Sequence, residues 1–256
     1  MQNARTITMM GGSGPAYWGL CFTAEEANST ISMKSSSGAP SISIQTSVDG
    51  VNWTPFTVGT TIITLANVGD KVYFAAGDAG NTRLAGIRGR SNRFVLAGKV
   101  SASGNIMSLL NNTTPASTAA SYAFYSLFAC GNADTSLSDV SLLLLPATSI
   151  DIRCYYGMFQ NCAGIVTAPH LPATTISQDC YREMFDGCLS LSQVSVSFTE
   201  WQMYPPPDDT IPYNTINWLN NVAPTGTFKC PAALGTNDTI TRGISICPEG
   251  WTVVNI

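Results

Sequence analysis

The order of apolar and polar residues changes character about halfway along the chain. Before Asn112 the apolar residues come in short runs: Tyr17 to Phe22, Ile31-Ser32-Met33, Ile42-Ser43-Ile44, Thr61 to Leu65, Lys71 to Ala75 and Arg93 to Val100. Alternation with a period of two puts every other side chain on one face of a strand. Turn-forming clusters separate the runs, at Ser37-Gly38-Ala39-Pro40, Asp49-Gly50, Val68-Gly69-Asp70 and Gly77-Asp78. This spacing predicts one antiparallel β-sandwich over residues 1–112, with Met1 to Pro15 as a flexible N-terminal arm. Ser47 to Phe56 reads as a hairpin, because Asp49-Gly50 suits the two positive-φ positions of a type I′ turn. Trp53, just after that turn, either packs inward as a cap or offers a flat ring to a ligand.

Small polar residues then take over, in Ser101-Ala102-Ser103-Gly104 and from Asn111 to Thr118. They predict a linker over residues 113–121. Beyond it the chain repeats itself. Leu145-Pro146-Ala147-Thr148 recurs 26 residues on as Leu171-Pro172-Ala173-Thr174, and Cys154 to Cys162 aligns with Cys180 to Cys188. A degenerate copy runs from Tyr122 to Gly131. In each good copy Cys, Tyr, Met, Phe and Cys fall at i, i+1, i+4, i+5 and i+8, which predicts one apolar stripe along a short helix. Cys154, Met158, Phe159 and Cys162 form that stripe in one unit, and Cys180, Met184, Phe185 and Cys188 in the next. Extended pieces follow, Val166 to Ala168 and Val194 to Phe198, so each unit is expected to be one helix plus one strand stacked on its neighbours.

The Met-Phe-x-x-Cys-x-x-Leu run with Leu-Pro-Ala-Thr resembles the Treponema-type (BspA-like) leucine-rich repeats of gut Bacteroidetes and their phages. The resemblance covers residues 122 to 200. Trp218 to Phe228 together with Cys247 to Val253 resembles the terminal unit that closes such arrays. It implies a β-rich α+β protein: a sandwich followed, over residues 122–256, by a short leucine-rich-repeat solenoid with a C-terminal cap. It further implies adhesion or host-surface recognition instead of turnover. Separately, Ser47-Val48-Asp49-Gly50-Val51-Asn52-Trp53 resembles hairpins of carbohydrate-binding β-sandwiches and, loosely, the Asp-box of sialidase propellers.

Composition narrows the function. Hydrophobic residues make up 45% of the chain and charged residues only 11%, so the polar surface must be built from Ser, Thr, Asn and Gln. A net charge of −4 without a basic run excludes a nucleic-acid groove, which needs a stripe of Lys and Arg. No apolar stretch reaches the roughly 18 residues of a membrane span. The start lacks the apolar core of a secretory leader, so a cytoplasmic product, or a mature form without its leader, is expected. The eight cysteines are expected as free thiols, since a packing role suffices for the repeated ones.

The residues for chemistry are sparse. His170 is the single histidine, with no Gly-x-Ser-x-Gly near it. Glu25-Glu26, Glu183 with Asp186, and Asp208-Asp209 read as solvated faces or turns and not as paired catalytic acids. No metal spacing is present and no cofactor is expected. The aromatic, proline-rich insert holding Trp201 and Tyr204, with Tyr213 beyond it, is either a contact surface or a seal between repeats and cap. Trp53, Trp201, Tyr204 and Tyr213 are therefore the candidate binding residues. The expectation is a non-enzymatic virion component of a phage (fibre, decoration or tail), homo-oligomeric, bound to other virion proteins or to a host-surface protein or glycan. A bacterial cell-surface adhesin and a carbohydrate-binding module are the alternatives.

Overall fold

A computed structural model describes residues 19–86, 90–111, 116–131, 134–203 and 212–256; the N-terminal arm, Tyr17-Trp18 and Tyr204 lie outside them. Eight strands carry the first half: β1 (Leu20–Ala24), β2 (Ser29–Ser35), β3 (Ile44–Ser47), β4 (Thr54–Phe56), β5 (Ile62–Leu65), β6 (Lys71–Ala76), β7 (Asn92–Ala97) and β8 (Val100–Asn105). They form an antiparallel sheet ordered β8-β1-β6-β3-β4 and a second ordered β5-β2-β7. The sheets meet through Phe22 and Phe74 of the first and Phe94 of the second, whose ring centroids lie 5.0 Å apart in both pairings. The run Arg93 to Val100 is broken into two strands at Gly98, where φ is +77° and Ser29 fills the space a β-carbon would need.

Ser101 to Gly104 was expected to be linker; it is the interior of β8. Pairing on both sides decides this: β1 runs antiparallel to it, and β10 (Leu137–Leu144) joins it in parallel. Thus a strand from beyond the expected linker, residues 113–121, completes the first-half sheet, and one continuous core of buried side chains runs through both halves.

The expected helices do not form. Among the described residues the only helical segments are 3-10 turns at Ile106–Leu109 and Ala232–Leu234. The fold is all-β, its sheets are open, and none winds into a solenoid, so the expected leucine-rich-repeat solenoid and the α+β class are both corrected. What the repeats build is a ribbon of consecutive turns. Positive φ recurs every fourth residue: at Tyr122 and Ser126, at Arg153, Gly157 and Asn161, at Asp179, Glu183 and Gly187, and at Asn217 and Asn221. A right-handed helix admits no such residue. The stripe at i, i+1, i+4, i+5 and i+8 is nonetheless buried, because a four-residue turn repeat and a 3.6-residue helix place nearly the same positions inward over nine residues.

Backbone hydrogen bonds alternate along each ribbon. In the second, the N–H groups of Cys154, Tyr156, Met158, Gln160 and Cys162 donate three residues back within the ribbon. Those of Arg153, Tyr155, Gly157, Phe159 and Asn161 donate across to carbonyls of the third. The first ribbon donates to the second in the same sense, and the third to the segment Tyr213 to Asn220. Phe128, Phe159 and Phe185 stack through this interface at 5.3 and 5.5 Å, with planes 7° and 3° apart. Short parallel strands mark the ribbon starts: β9 (Thr118–Ala119), β11 (Ser149–Ile150) and β12 (Thr175–Ile176). On the opposite side β13 (Gln193–Ser195), β14 (Gly226–Cys230) and β15 (Trp251–Asn255) pair in parallel.

Both ends are sealed. At the first ribbon the carbonyls of Ala123 and Leu127 accept from Leu84 and Phe94 of the sandwich. At the far end the outer edge of β15 is occupied by side chains: Arg242 Nη1 donates to Trp251 O at 2.7 Å, and Asn237 Oδ1 accepts from Val253 N–H at 3.1 Å. An open parallel edge would otherwise invite another chain.

Gly187 tests the ribbon geometry, since its φ is +79° and a β-carbon there would collide with Asn161. Gly187→Ala should destabilise the fold by about 1–3 kcal/mol. Asn221→Gly, at a similar backbone angle but exposed, should change stability by less than about 0.5 kcal/mol. Urea unfolding of both variants provides the comparison.

Candidate contact surface

The parallel pairing of β13, β14 and β15 sends Val194, Phe228 and Val253 inward and leaves a polar outer face. Register aligns Thr167, Gln193, Thr227 and Thr252 in one row across it, and Ser195, Lys229 and Val254 in the next. The chain at Gly164 lies directly against the backbone at Thr135 and Leu137, where β10 begins; further along that strand Leu142 and Leu144 are 71% and 39% exposed. The described exterior thus carries a nearly uncharged, hydroxyl-rich face on β13, β14 and β15, and two exposed leucines on β10, the edge strand of another sheet.

His170 belongs to this face. Its Nδ1 lies 3.1 Å from Ser195 Oγ and its Nε2 3.1 Å from Ser197 Oγ. A hydroxyl on each nitrogen holds the ring in place and leaves no carboxylate to orient it as a general base, so the arrangement serves positioning and hydrogen bonding better than nucleophilic catalysis. The sequence missed this cluster, although the repeat length was the available signal: the two serines stand 25 and 27 residues after His170.

A second exterior lies along the ribbons. Tyr125 stacks on Tyr156 at 4.7 Å and the Arg182 guanidinium covers Tyr156 at 5.7 Å from the ring centre. Beneath it Asp179, 1% exposed, receives Arg153 Nη2 at 2.9 Å and Nε at 3.0 Å, with Arg182 Nη1 at 3.6 Å. Glu183 pairs with Arg182, while Asp186 accepts from Gln160 and Asn220. Of the acids read as solvated faces or turns, Glu183 and Asp186 are thus bonded to neighbouring ribbons, Glu25 and Glu26 are exposed, and Asp208-Asp209 lie outside the described residues. With Tyr125 on one face and Arg182 on the other, Tyr156 has its edge and hydroxyl, not its faces, to give a ligand.

Between sandwich and ribbons lies a cleft of about 490 Å³, lined among others by Asn81, Met107, Leu110, Thr118, Asp151 and Ser177. Asp151 is already engaged, by Ser121 Oγ at 2.6 Å and Ile152 N–H at 2.7 Å, which hold its carboxyl below the usual range. Among the described residues no group of three or more His, Cys, Asp or Glu is placed to hold a metal, and no helix is long and apolar enough to cross a membrane.

The sequence-predicted binding residues are scattered. Trp201 packs edge-on to Phe198 at 5.3 Å, near Trp218 and Phe228, and donates through Nε1 to Leu234 O. It is thus placed between the third ribbon and the chain's C-terminal part. Tyr213 is half-buried at the start of the fourth ribbon segment, with its carbonyl accepting from Asp179 N–H. Trp53 lies at the opposite end of the molecule's sheet, half-buried over Gly19 with its indole N–H out of solvent.

The hairpin bearing Trp53 forms, but not through a type I′ turn. Thr46 pairs with Thr54, so seven residues make the loop, and of the Asp49-Gly50 pair only Gly50 has positive φ. The Asp49 carboxylate organises it instead: Oδ1 accepts from the N–H groups of Val51 and Asn52 and from Ser47 Oγ, all at 2.8 Å. No protein family, curated protein or solved structure matches the chain, so the family resemblance of the repeats is without support.

The donors around Asp49, chiefly the Asn52 backbone and side chain, hold its pKa well below the ordinary carboxylate range. A lowered pKa stabilises the loop above the ordinary range near 4, and that contribution is lost only as pH falls towards the depressed value. The Val51 and Asn52 amide resonances should therefore stay unchanged through pH 4 and move only under stronger acid. A midpoint near 4 would refute the carboxylate's role.

Proposed function

We propose that the protein is a non-enzymatic assembly or recognition component, a virion part of fibre, decoration or tail type in the first instance, acting through the outer face of its parallel sheet together with the exposed edge strand β10. The observations that carry this reading are the regular rows of Ser, Thr and Gln on the outer face of β13, β14 and β15 and the exposed Leu142 and Leu144 on the edge strand β10. Backbone ladders fix such a face, so little side-chain freedom is lost when a partner covers it. Low charge keeps desolvation cheap. The partners suited to it are other copies of the chain, other virion proteins, or a host-surface protein or glycan. The same surface would serve a bacterial cell-surface adhesin, which is the second setting for the reading.

Static light scattering on the purified chain should show a homo-oligomer at micromolar concentration. Leu142→Glu with Leu144→Glu should return it to monomer, with an unchanged circular-dichroism spectrum. A strictly monomeric wild type would count against assembly through this face. Glycan binding abolished by Trp53→Ala would move the reading to a carbohydrate-binding module.

A further inference from the structure

Cys130 closes the first turn ribbon and Cys162 the second, and their thiols converge on one acceptor. Cys130 Sγ lies 3.5 Å from Phe128 O, and Cys162 Sγ lies 3.2 Å from the same oxygen. The backbones adjoin as well: Cys130 N–H donates to Gln160 O at 2.9 Å, and Asn161 Nδ2 donates to Cys130 O at 3.2 Å. Neighbouring ladder positions lie about 5 Å apart, within the roughly 4.4–6.8 Å between α-carbons that a disulfide spans.

The two sulfurs differ in access. Cys130 is half-buried, whereas Cys162 is wholly enclosed. They differ in acidity too. A hydrogen bond from the Cys162 thiol to the Cys130 sulfur draws the Cys130 pKa below its ordinary value, helped by Arg93 and opposed by burial and Asp134. Arg93 reaches this corner by donating to Ala129 O at 3.3 Å. Burial pushes the thiols of Cys21, Cys154, Cys180, Cys188, Cys230 and Cys247 up. A thiol that is both reachable and readily ionised is the one an oxidant finds first.

We propose that Cys130 is an oxidation site of this protein, and that Cys162 resolves the oxidised sulfur into a disulfide joining the first two ribbons. The oxidant is a hydroperoxide. The Cys130 thiolate attacks one peroxide oxygen, the O–O bond breaks, and the leaving oxygen takes a proton and departs as alcohol or water. Cys130 is then a sulfenic acid. Cys162 sulfur attacks the Cys130 sulfur, the S–O bond breaks, and the hydroxyl leaves as water with the Cys162 proton. Two thiols are oxidised to one disulfide and one peroxide is reduced.

The test uses the full chain, reduced, freed of reductant and treated with one equivalent of hydrogen peroxide. Alkylation and peptide mapping should show a Cys130–Cys162 linked peptide and the loss of two titratable thiols. The oxidised chain should melt at a higher temperature than the reduced one, since the bond restricts the unfolded state. Cys162→Ser should yield no disulfide but a dimedone adduct on Cys130; Cys130→Ser should yield neither. If the wild type keeps Cys130 alkylatable, or links Cys154 to Cys180 first, the proposal fails. That mapping needs no variant, so a poorly folded serine substitution does not protect the idea.

Discussion

Every second amide in a turn ribbon has its acceptor in the next ribbon. Arg153, Tyr155, Gly157, Phe159 and Asn161 spend none of their N–H groups at home. A buried donor without a partner costs about 1–3 kcal/mol, so a ribbon folds only with a neighbour in register. The side chains follow from that constraint. Register brings Phe128, Phe159 and Phe185 into one file and Phe124, Tyr155 and Tyr181 into another. The sandwich enters the same scheme, because Phe94 both donates its N–H to Leu127 O and stacks on Phe128 at 5.5 Å.

The same register explains where polar groups are tolerated inside. Asp179 sits at a positive-φ position, buried, and is held because Arg153 of the ribbon before it donates to its Oδ2 from two nitrogens. Breaking such a pair leaves an uncompensated charge, which is why buried acids come with their cations. Tyr155 is one exception among the described residues, beside the side chain of Asn214 and the indole N–H of Trp53: its hydroxyl is enclosed without a partner, retained by the ring's place in the aromatic file.

Much of the core was legible in the sequence and much of the conformation was not. The stripe residues Cys154, Met158, Phe159 and Cys162 and their counterparts in the next copy are all buried, as their periodicity requires. The helix was misread because nine residues are too few to separate a period of 4 from one of 3.6. The deciding signal was present in Gly157, Asn161 and Gly187, spaced for type II turns, which want Gly or Asn in third place. Arg153, Asp179 and Glu183 at equivalent positions hid it. Non-local pairing was the other blind spot. Nothing in Ser101 to Gly104 marks an interior strand until β1 and β10 flank it, and His170 meets its serines only once the repeat is folded. Of the predicted contact residues, Trp201 and Trp53 are packed at separate places, because an aromatic's exposure depends on neighbours the local sequence does not contain.

Along the turns, the alternate backbone amides that cross between ribbons all donate from the earlier copy to the later, whereas at the ribbon starts Thr148, Asp151 and Thr174 donate backwards. Each ribbon therefore presents carbonyls on one side and amides on the other, as a plug does to a socket. Duplication of a 26-residue unit would insert a matched layer between any two existing ones without altering either. The terminal fittings could stay as they are: Leu84 and Phe94 supplying donors at one end, Arg242 and Asn237 guarding the strand edge at the other. Length is thus a free parameter of this architecture, open to change by unequal recombination, while its direction of growth is not.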